Sequence, residues 1–148
     1  MAFPASTVVP ANGYLRAKEI AYTLDRKVQE WVGMLSANVT ADDVWSWYRE
    51  LYSSYQALLA IAAIPGIAEY AIAQEADPEM DIVAEFNAML VAISGAYSWI
   101  YVALPRDVDG WLLTHKSTVV GELTPRVFVP AESAPLIPLL QAVDAAIG

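Results

Sequence analysis

Apolar residues recur at helical spacing in the first half of the chain. From about Gly13 to Ser36 they step by 4, 3, 4, 3 and 4, while the charged residues fall on the opposite side. Thr40 is a natural N-cap with two acids after it, and it predicts a second helix that runs to about Ile64. Pro65 and the glycine after it end that helix. The predicted inner faces are Ala17, Ala21, Leu24, Val28, Trp31 and Leu35, then Val44, Trp47, Tyr48, Leu51, Tyr55, Leu58 and Ala62.

A third long helix is predicted between Asp77 and Pro105. Asp77 caps it, a proline occupies its first position, and Pro105 ends it. Gly95 lies in its interior at a cost of about 1 kcal/mol relative to alanine. We expect this glycine to allow the close approach of another helix. The predicted inner face is Ile82, Phe86, Met89, Ile93, Ala96, Ile100 and Leu104.

The apolar period changes to two after residue 105. Residues 111–116 and 123–129 each alternate as a strand does, and the turn at Asp109-Gly110 precedes them. This pattern predicts a β-hairpin at about 110–129. The tail returns to helix, with a regular part from Leu139 to Ile147, because Pro135 and Pro138 crowd its start.

The expected fold is mainly α. The simplest packing is an up-down helical bundle of three long helices with a β-hairpin and a short C-terminal helix. The length of 148 residues fits a single domain, which we place at 13–148. Residues 1–12 contain Pro4 and Pro10, and we expect them to form an extended N-terminal arm.

Composition excludes several classes of function. The chain carries 8 Lys and Arg against 17 Asp and Glu, a net charge of −9, which argues against a nucleic-acid partner. It has no cysteine and a single histidine, His115, which excludes thiol nucleophiles and multi-histidine metal sites. We therefore predict a protein that is not an enzyme and has no catalytic residues, no metal and no cofactor.

Three local patterns resemble ligand-binding motifs but are incomplete. Residues 110–117 lack the second glycine of a phosphate-binding loop, since His115 stands in its place. The turn at 107–110 lacks the third oxygen ligand and the closing glutamate of a calcium loop. The acids within 75–81 lie at a predicted helix start, where the helix dipole explains them.

Two long runs carry no charge and leave a membrane alternative open. Residues 51–68 and 86–104 are each near the minimum length for crossing a bilayer. Lys and Arg lie only outside these runs, as in a two-span, holin-like protein with both ends in the cytoplasm. The one-sided apolar faces favour partner helices instead, so we expect no membrane contact.

The chain is rich in aromatic residues, with five Trp, eight Tyr and three Phe. So many are hard to bury within one small subunit, and Trp and Tyr are enriched in interface cores. We expect some of them to face another subunit. The candidate interface residues are Phe3, Trp45, Tyr52, Trp111, Leu113 and Phe128.

Three segments together resemble a family of small structural proteins of tailed-bacteriophage virions. They are AIAAIPGIAEYAIAQ (60–74), AEFNAMLVAISGAYSWIYVAL (84–104) and DGWLLTHKSTVVGELTPRVFVP (109–130), which leads into an alanine- and leucine-rich tail. In that family three helices precede a hairpin with an Asp-Gly-aromatic-Leu-Leu start, a Thr-Pro and a short final helix. Pro135 and Pro138 depart from the pattern and interrupt the final helix.

The resemblance implies a virion component of the head, neck, tail or baseplate, present in multiple copies. Its partners would be copies of itself and other virion proteins, and it would occupy the host cytoplasm before assembly. The shared motifs are packing motifs, so no functional residues carry over. The expected contacts are the N-terminal arm, the hairpin and the aromatic faces.

Overall fold

The computed structural model describes residues 5–74, 82–104 and 127–147. Within these ranges the chain is mainly helical, with a small two-stranded antiparallel sheet. The elements in chain order are α1 (Ala5–Met34), β1 (Val39–Thr40), α2 (Ala41–Ala62), α3 (Ile67–Gln74), α4 (Ile82–Ala103), β2 (Val127–Phe128), α5 (Pro130–Ser133) and α6 (Leu136–Ile147).

The three predicted long helices are present as α1, α2 and α4. The predicted capping and start of the third, at Asp77, lie outside the described residues. The extended arm predicted for 1–12 is wrong over 5–12, because α1 begins at Ala5 and includes Pro10. A proline within a helix removes a hydrogen bond and costs about 3 kcal/mol. Pro10 is buried here beside the α2–α3 turn, and this packing offsets part of the cost.

The long helices surround a shared apolar core. α1 packs against α2 and α6, and α4 packs against the same two helices. Leu24 and Val28 of α1, Leu51 of α2 and Ile93 and Ile100 of α4 are almost fully buried. The predicted faces are confirmed for most positions. Ala62 is exposed and Ile61 is buried in its place, while Leu90 joins the core as an unpredicted member.

A sharp turn at Pro65-Gly66 separates α2 from α3. Gly66 has φ +82°, a left-handed conformation that side chains with a Cβ rarely adopt. The turn folds α3 back onto α1, where the rings of Tyr14 and Tyr70 meet edge to face with centroids 5.7 Å apart. The predicted helix stop is therefore the point at which the chain reverses.

Thr40 caps α2 as its sequence position predicts. Its Oγ1 accepts a hydrogen bond from the Asp43 backbone N–H at 3.1 Å, and the Asp43 carboxylate accepts one from the Thr40 N–H at 3.2 Å. The two residues form a reciprocal capping box. Since Thr40 also belongs to β1, one residue both starts α2 and pairs with β2.

The described sheet differs from the predicted hairpin. Its first predicted strand, 111–116, and the loop after it lie outside the described residues. The end of the second, Val127–Phe128, is a strand, and it pairs antiparallel with Val39–Thr40. In the sequence, residues 38–40 indicate only a helix break, because two strand residues are too few to show an alternating pattern.

The C-terminal segment contains two helices. Pro130 begins the short α5, and the Glu132 carboxylate accepts a hydrogen bond from the Val129 N–H at 3.2 Å. α6 begins at Leu136, three residues before the predicted start at Leu139. Pro138 is its third residue, where the missing N–H would have had no partner within the helix. The proline therefore fits inside the first turn.

We predict that Gly66→Ala destabilises the protein by about 1 kcal/mol, since alanine is strained at positive φ. Gly33→Ala is the matched control, because Gly33 lies in α1 with nothing within 4 Å of the position a Cβ would take. Alanine should stabilise that site by roughly 0.5–1 kcal/mol. Urea denaturation of both variants measures the two effects, and equal changes of the same sign would contradict the assignment.

We predict that Thr40→Ala lowers the free energy of unfolding by about 1 kcal/mol through loss of the cap. Thr40→Ser retains the hydroxyl and should lose less. Thermal unfolding followed by circular dichroism compares the two variants. A serine variant as unstable as the alanine variant would show that the hydroxyl is not the stabilising group.

Candidate interaction surface

Two of the predicted interface residues are buried within this chain. Trp45 is 6% exposed and Phe128 is 3% exposed, so the structure gives both a place in the core instead of the predicted contact with another subunit. Tyr52 is 42% exposed and remains available for such a contact. Phe3, Trp111 and Leu113 lie outside the described residues.

Tyrosines fill the contact between α2 and α4, and we call this group the tyrosine seam: Tyr48, Tyr52, Tyr55, Tyr97 and Tyr101. The Tyr97 ring meets the rings of Tyr48, Tyr52 and Tyr55 edge to face, with centroids 6.0, 5.5 and 5.4 Å away. The three α2 tyrosines lie on one helix face because they are four and three residues apart. Aromatic pairs of this kind contribute about 0.5–1.5 kcal/mol beyond the area they bury.

Tyr48 is the most deeply buried residue of the tyrosine seam. Burial, followed by the proximity of Tyr52, Tyr101 and Tyr97, raises the pKa of Tyr48 above its usual value of 10.0. Trp45 stacks on Tyr48 with ring centroids 5.6 Å apart. Its buried indole N–H has no acceptor among the described residues. Tyr52 carries this aromatic stack to the surface, where it offers a flat ring and a hydroxyl.

The outward side of α4 is apolar or small along its length. We call it the α4 stripe: Ala88, Val91, Gly95, Ser98 and Val102, all of them exposed. Val91 and Val102 are 72% and 71% exposed, the highest values among the described large apolar residues. Ile93, Ala96 and Ile100 on the opposite side are fully buried. α4 therefore has two apolar faces, and the described chain covers one of them.

Gly95 makes no close contact with another described element. No described atom outside the local helix lies within 4 Å of the position a Cβ would take. The prediction that another helix approaches this glycine is therefore not met by any helix in the described part of this subunit. Gly95 lies in the middle of the α4 stripe, so the space beside it is open to a partner.

Among the described helices, α1 carries the most charge and α4 has almost none. α1 carries seven charged residues, whereas α4 carries only Glu85, in its first turn. An ion pair of 2.9 Å joins Lys27 of α1 to Glu50 of α2 beside an open groove of about 320 Å³. α1 therefore presents a charged, solvated face, and α4 itself is uncharged beyond its first turn.

The two uncharged runs differ in whether they form one continuous helix. The run 51–68 is divided, because α2 ends at Ala62 and α3 begins only at Ile67. In the described part of the chain, one helix is long and apolar enough to cross a membrane, over the 19 residues of Glu85–Ala103. Only 22% of its apolar window is buried. Helices in the cores of water-soluble proteins also meet this length and composition.

A pair of carboxylates joins α1 to α6. The Gln29 amide donates to Asp25 at 3.1 Å and to Asp144 at 3.0 Å. The hydrogen bond with Asp144, followed by burial and the negative charge of Asp144, raises the pKa of Asp25 to about 6. The same hydrogen bond, aided by Gln29, lowers the pKa of Asp144. Asp25 is therefore the member of the pair that takes up a proton first as the pH falls.

The described residues contain no group of three or more His, Asp or Glu that could hold a metal ion. His115, the turn at 107–110 and the acids within 75–81 lie outside the described residues, and the prediction for them is untested. The Asp25–Asp144 pair lacks a third ligand of this kind. The described chain thus presents surfaces, and its clearest one is the outward side of α4.

Comparison with known proteins gives no relative. No family model, no curated protein and no solved structure matches the chain. The function must therefore be argued from the residues and their arrangement.

The α4 stripe is not among the surfaces that the sequence pattern predicts. Val91 and Val102 lie opposite the predicted inner face and were not considered as contact residues. The available signal was the absence of charge on both sides of the same helix over 86–104. A helix with one partnered face normally carries charged residues on the other.

We predict that the protein is more stable at about pH 5 than at about pH 7.5, by about 1 kcal/mol after solvent screening. Asp25 has a raised pKa, so its contribution is complete below its ordinary value of 3.8 and is lost as pH rises through about 6. Asp144 has a lowered pKa, so its contribution is lost only at more acidic pH. Thermal unfolding against pH measures the optimum between these limits.

Asp25→Asn is the test variant for this pH dependence. Its amide cannot ionise and still hydrogen-bonds with Asp144, so the difference in melting temperature between the two pH values should shrink. Glu19→Gln, on the exposed side of α1, should leave the difference unchanged. An equal reduction in both variants would remove Asp25 as the cause.

Proposed function

We propose that this chain is a non-enzymatic structural subunit of a tailed-bacteriophage particle, a head, neck, tail or baseplate component present in multiple copies. The observation that carries the proposal is the uncharged outward side of α4, with Val91 and Val102 more than 70% exposed. An exposed apolar face of this length is typical of a protein–protein contact. The sequence resemblance to small virion proteins is the basis for assigning the chain to a phage particle.

We infer that α1, α2, α4 and α6 form an up-down helical bundle. The short turn between α1 and α2 favours antiparallel neighbours, and each of these four helices packs against two of the others. In such an arrangement, the side of α4 that faces away from α1 is available to partner proteins. The partners are copies of the chain and other virion proteins, through that side and Tyr52. The proposed location is the virion, with the host cytoplasm before assembly.

The expected contacts through the N-terminal arm and the hairpin need revision within this proposal. Residues 5–12 belong to α1 and therefore act as part of a helix. Most of the predicted hairpin, including Trp111 and Leu113, lies outside the described residues. The proposed assembly surfaces accordingly shift from these two segments to the outward side of α4 and the exposed end of the tyrosine seam.

The alternative proposal is a holin-like membrane protein. Glu85–Ala103 supports it, since this stretch has the length and composition of a membrane span. The division of 51–68 at Pro65-Gly66 argues against it, because the second predicted span is not one continuous helix. The charge of −9 also disfavours contact with anionic lipid surfaces.

We expect the chain to be recovered without detergent and to be found in purified particles of the phage that encodes it. Mass spectrometry of gradient-purified particles tests the particle assignment, with unassembled host proteins as the background control. Absence of the chain from intact particles would contradict the structural role. Recovery only in detergent-solubilised membranes would favour the holin-like alternative.

A further inference from the structure

The tyrosine seam brings phenol rings of two helices into direct contact. Tyr97 of α4 meets Tyr52 and Tyr55 of α2 with ring centroids 5.5 and 5.4 Å apart and ring planes at 79° and 73°. In an edge-to-face pair at this distance, the edge carbons of one ring touch the face of the other. Edge carbons of this kind form the new bond when two tyrosines are coupled by oxidation.

A stack of aromatic rings leads from the core to this contact. Trp45, Tyr48 and Tyr52 lie nearly parallel, with successive ring centroids 5.6 and 5.8 Å apart and interplanar angles of 15° and 13°. Tyr48 also meets Tyr97 at 6.0 Å. Indole and phenol groups lose single electrons more readily than aliphatic or amide groups, and the chain has no thiol to compete with them. Because rings in contact exchange electrons, an oxidised site formed at one member can move to another.

The exposure of each ring determines where the oxidised site stays. A tyrosyl radical forms when the ring loses an electron and its hydroxyl group loses a proton. Burial is the largest cause that raises the pKa of Tyr48, and it therefore opposes the loss of that proton. Tyr48 is 7% exposed, whereas Tyr52 is 42% exposed and can release its proton to water. The radical therefore collects on the outer tyrosines of the seam.

We propose that Tyr52 and Tyr97 form an oxidative cross-linking site, at which a peroxide and a haem peroxidase join α2 to α4 through a carbon–carbon bond. Tyr52 and Tyr55 both meet Tyr97, but Tyr52 also stacks on Tyr48. Tyr52 is exposed, while Tyr55 is partly buried. The inference concerns the free subunit and does not rest on the proposed phage role.

Two one-electron oxidations supply the new bond. Each phenol gives one electron to the peroxidase and its hydroxyl proton to water, and the two radicals then join through one Cε atom of each ring. Each of these carbons passes its hydrogen, as a proton, to the phenol oxygen of its own ring. The chain loses two hydrogens in total. One hydrogen peroxide takes up the two electrons and two protons and becomes two waters.

The bond holds α2 against α4 and closes a loop of about 45 residues. A cross-link over a loop of this length stabilises the folded chain by restricting the unfolded one. We expect the melting temperature of the cross-linked monomer to exceed that of the untreated monomer by roughly 10 °C. A scan of both forms by circular dichroism measures the difference.

Oxidation of the full chain at low concentration, with hydrogen peroxide and a haem peroxidase, tests the site. The expected product is a monomer that is lighter by two hydrogens and has the blue fluorescence of dityrosine. Proteolysis after glutamate locates the bond, because Tyr52 lies on fragment 51–69 and Tyr97 on fragment 86–122. Mass spectrometry should find these two fragments joined in the oxidised chain and separate in the untreated one.

Phenylalanine variants identify the two members of the bond, because phenylalanine keeps the ring but cannot form the radical. Tyr52→Phe and Tyr97→Phe should each lower the yield of joined fragments at least tenfold. Tyr55→Phe is the matched control and should leave that yield unchanged. Thermal unfolding before oxidation shows that each variant is folded. A yield that falls in Tyr55→Phe and persists in Tyr52→Phe would overturn the assignment.

The pair Tyr14 and Tyr70 is an internal comparison within the same oxidised sample. Their rings also meet edge to face, with centroids 5.7 Å apart, but they join α1 to α3 away from the tyrosine seam. We expect a lower yield of the bond at this pair, since the Trp45–Tyr48 stack feeds the seam. An equal yield at both places would show that contact alone directs the bond and would overturn the role of the stack.

The unfolded chain completes the test, even if a variant fails to fold. Oxidation of the wild type in urea should lose the joined fragments, because α2 and α4 are then apart. Joined fragments at the same yield in urea would overturn the proposal. So would a folded product linked mainly through Tyr22, which is 65% exposed on α1. The presence of the chain in purified particles tests the phage role separately.

Discussion

The placement of α4 between α2 and α6 holds the fold together. The inner face of α4 supplies the fully buried Ile93, Ala96 and Ile100. The ring contacts of the tyrosine seam hold α4 against α2. α1 packs against the same two helices from the other side. Because α4 is uncharged after its first turn, the helices that pack against it decide which of its apolar sides stays in contact with water.

Local signals in the sequence determine most of the helical architecture. The 3- and 4-residue spacing of α1 located its buried face, since a helix repeats every 3.6 residues wherever it packs. Thr40 and Pro65-Gly66 were recognised because capping and positive φ are properties of one or two residues. The start of α6 lies three residues before the predicted one, because proline is compatible with a first helical turn as well as with a break.

Contacts between distant residues left no signal of that kind. Nothing local to Val39 or to Phe128 shows that they pair, since register depends on the whole fold. Trp45 and Tyr52 looked alike as flanking aromatics, yet one is buried and the other exposed. The difference in exposure between these two side chains depends on how α4 lies across α2. The spacing of residues within α2 carries no information about that arrangement. The exposed valines of α4 show the converse, because an apolar residue in a helix does not by itself indicate the core.

The pairing of β1 with β2 has a consequence for the order of folding. It joins residues 39–40 to residues 127–128, and α6, which covers α1, follows directly after. A ribosome therefore releases α1 long before the segment that covers its apolar face has been made. Before α6 is made, the described elements against which α1 can pack are α2 and α3, and the surface that α6 covers stays accessible to chaperones. The nascent chain thus needs α6 before this part of its core can close.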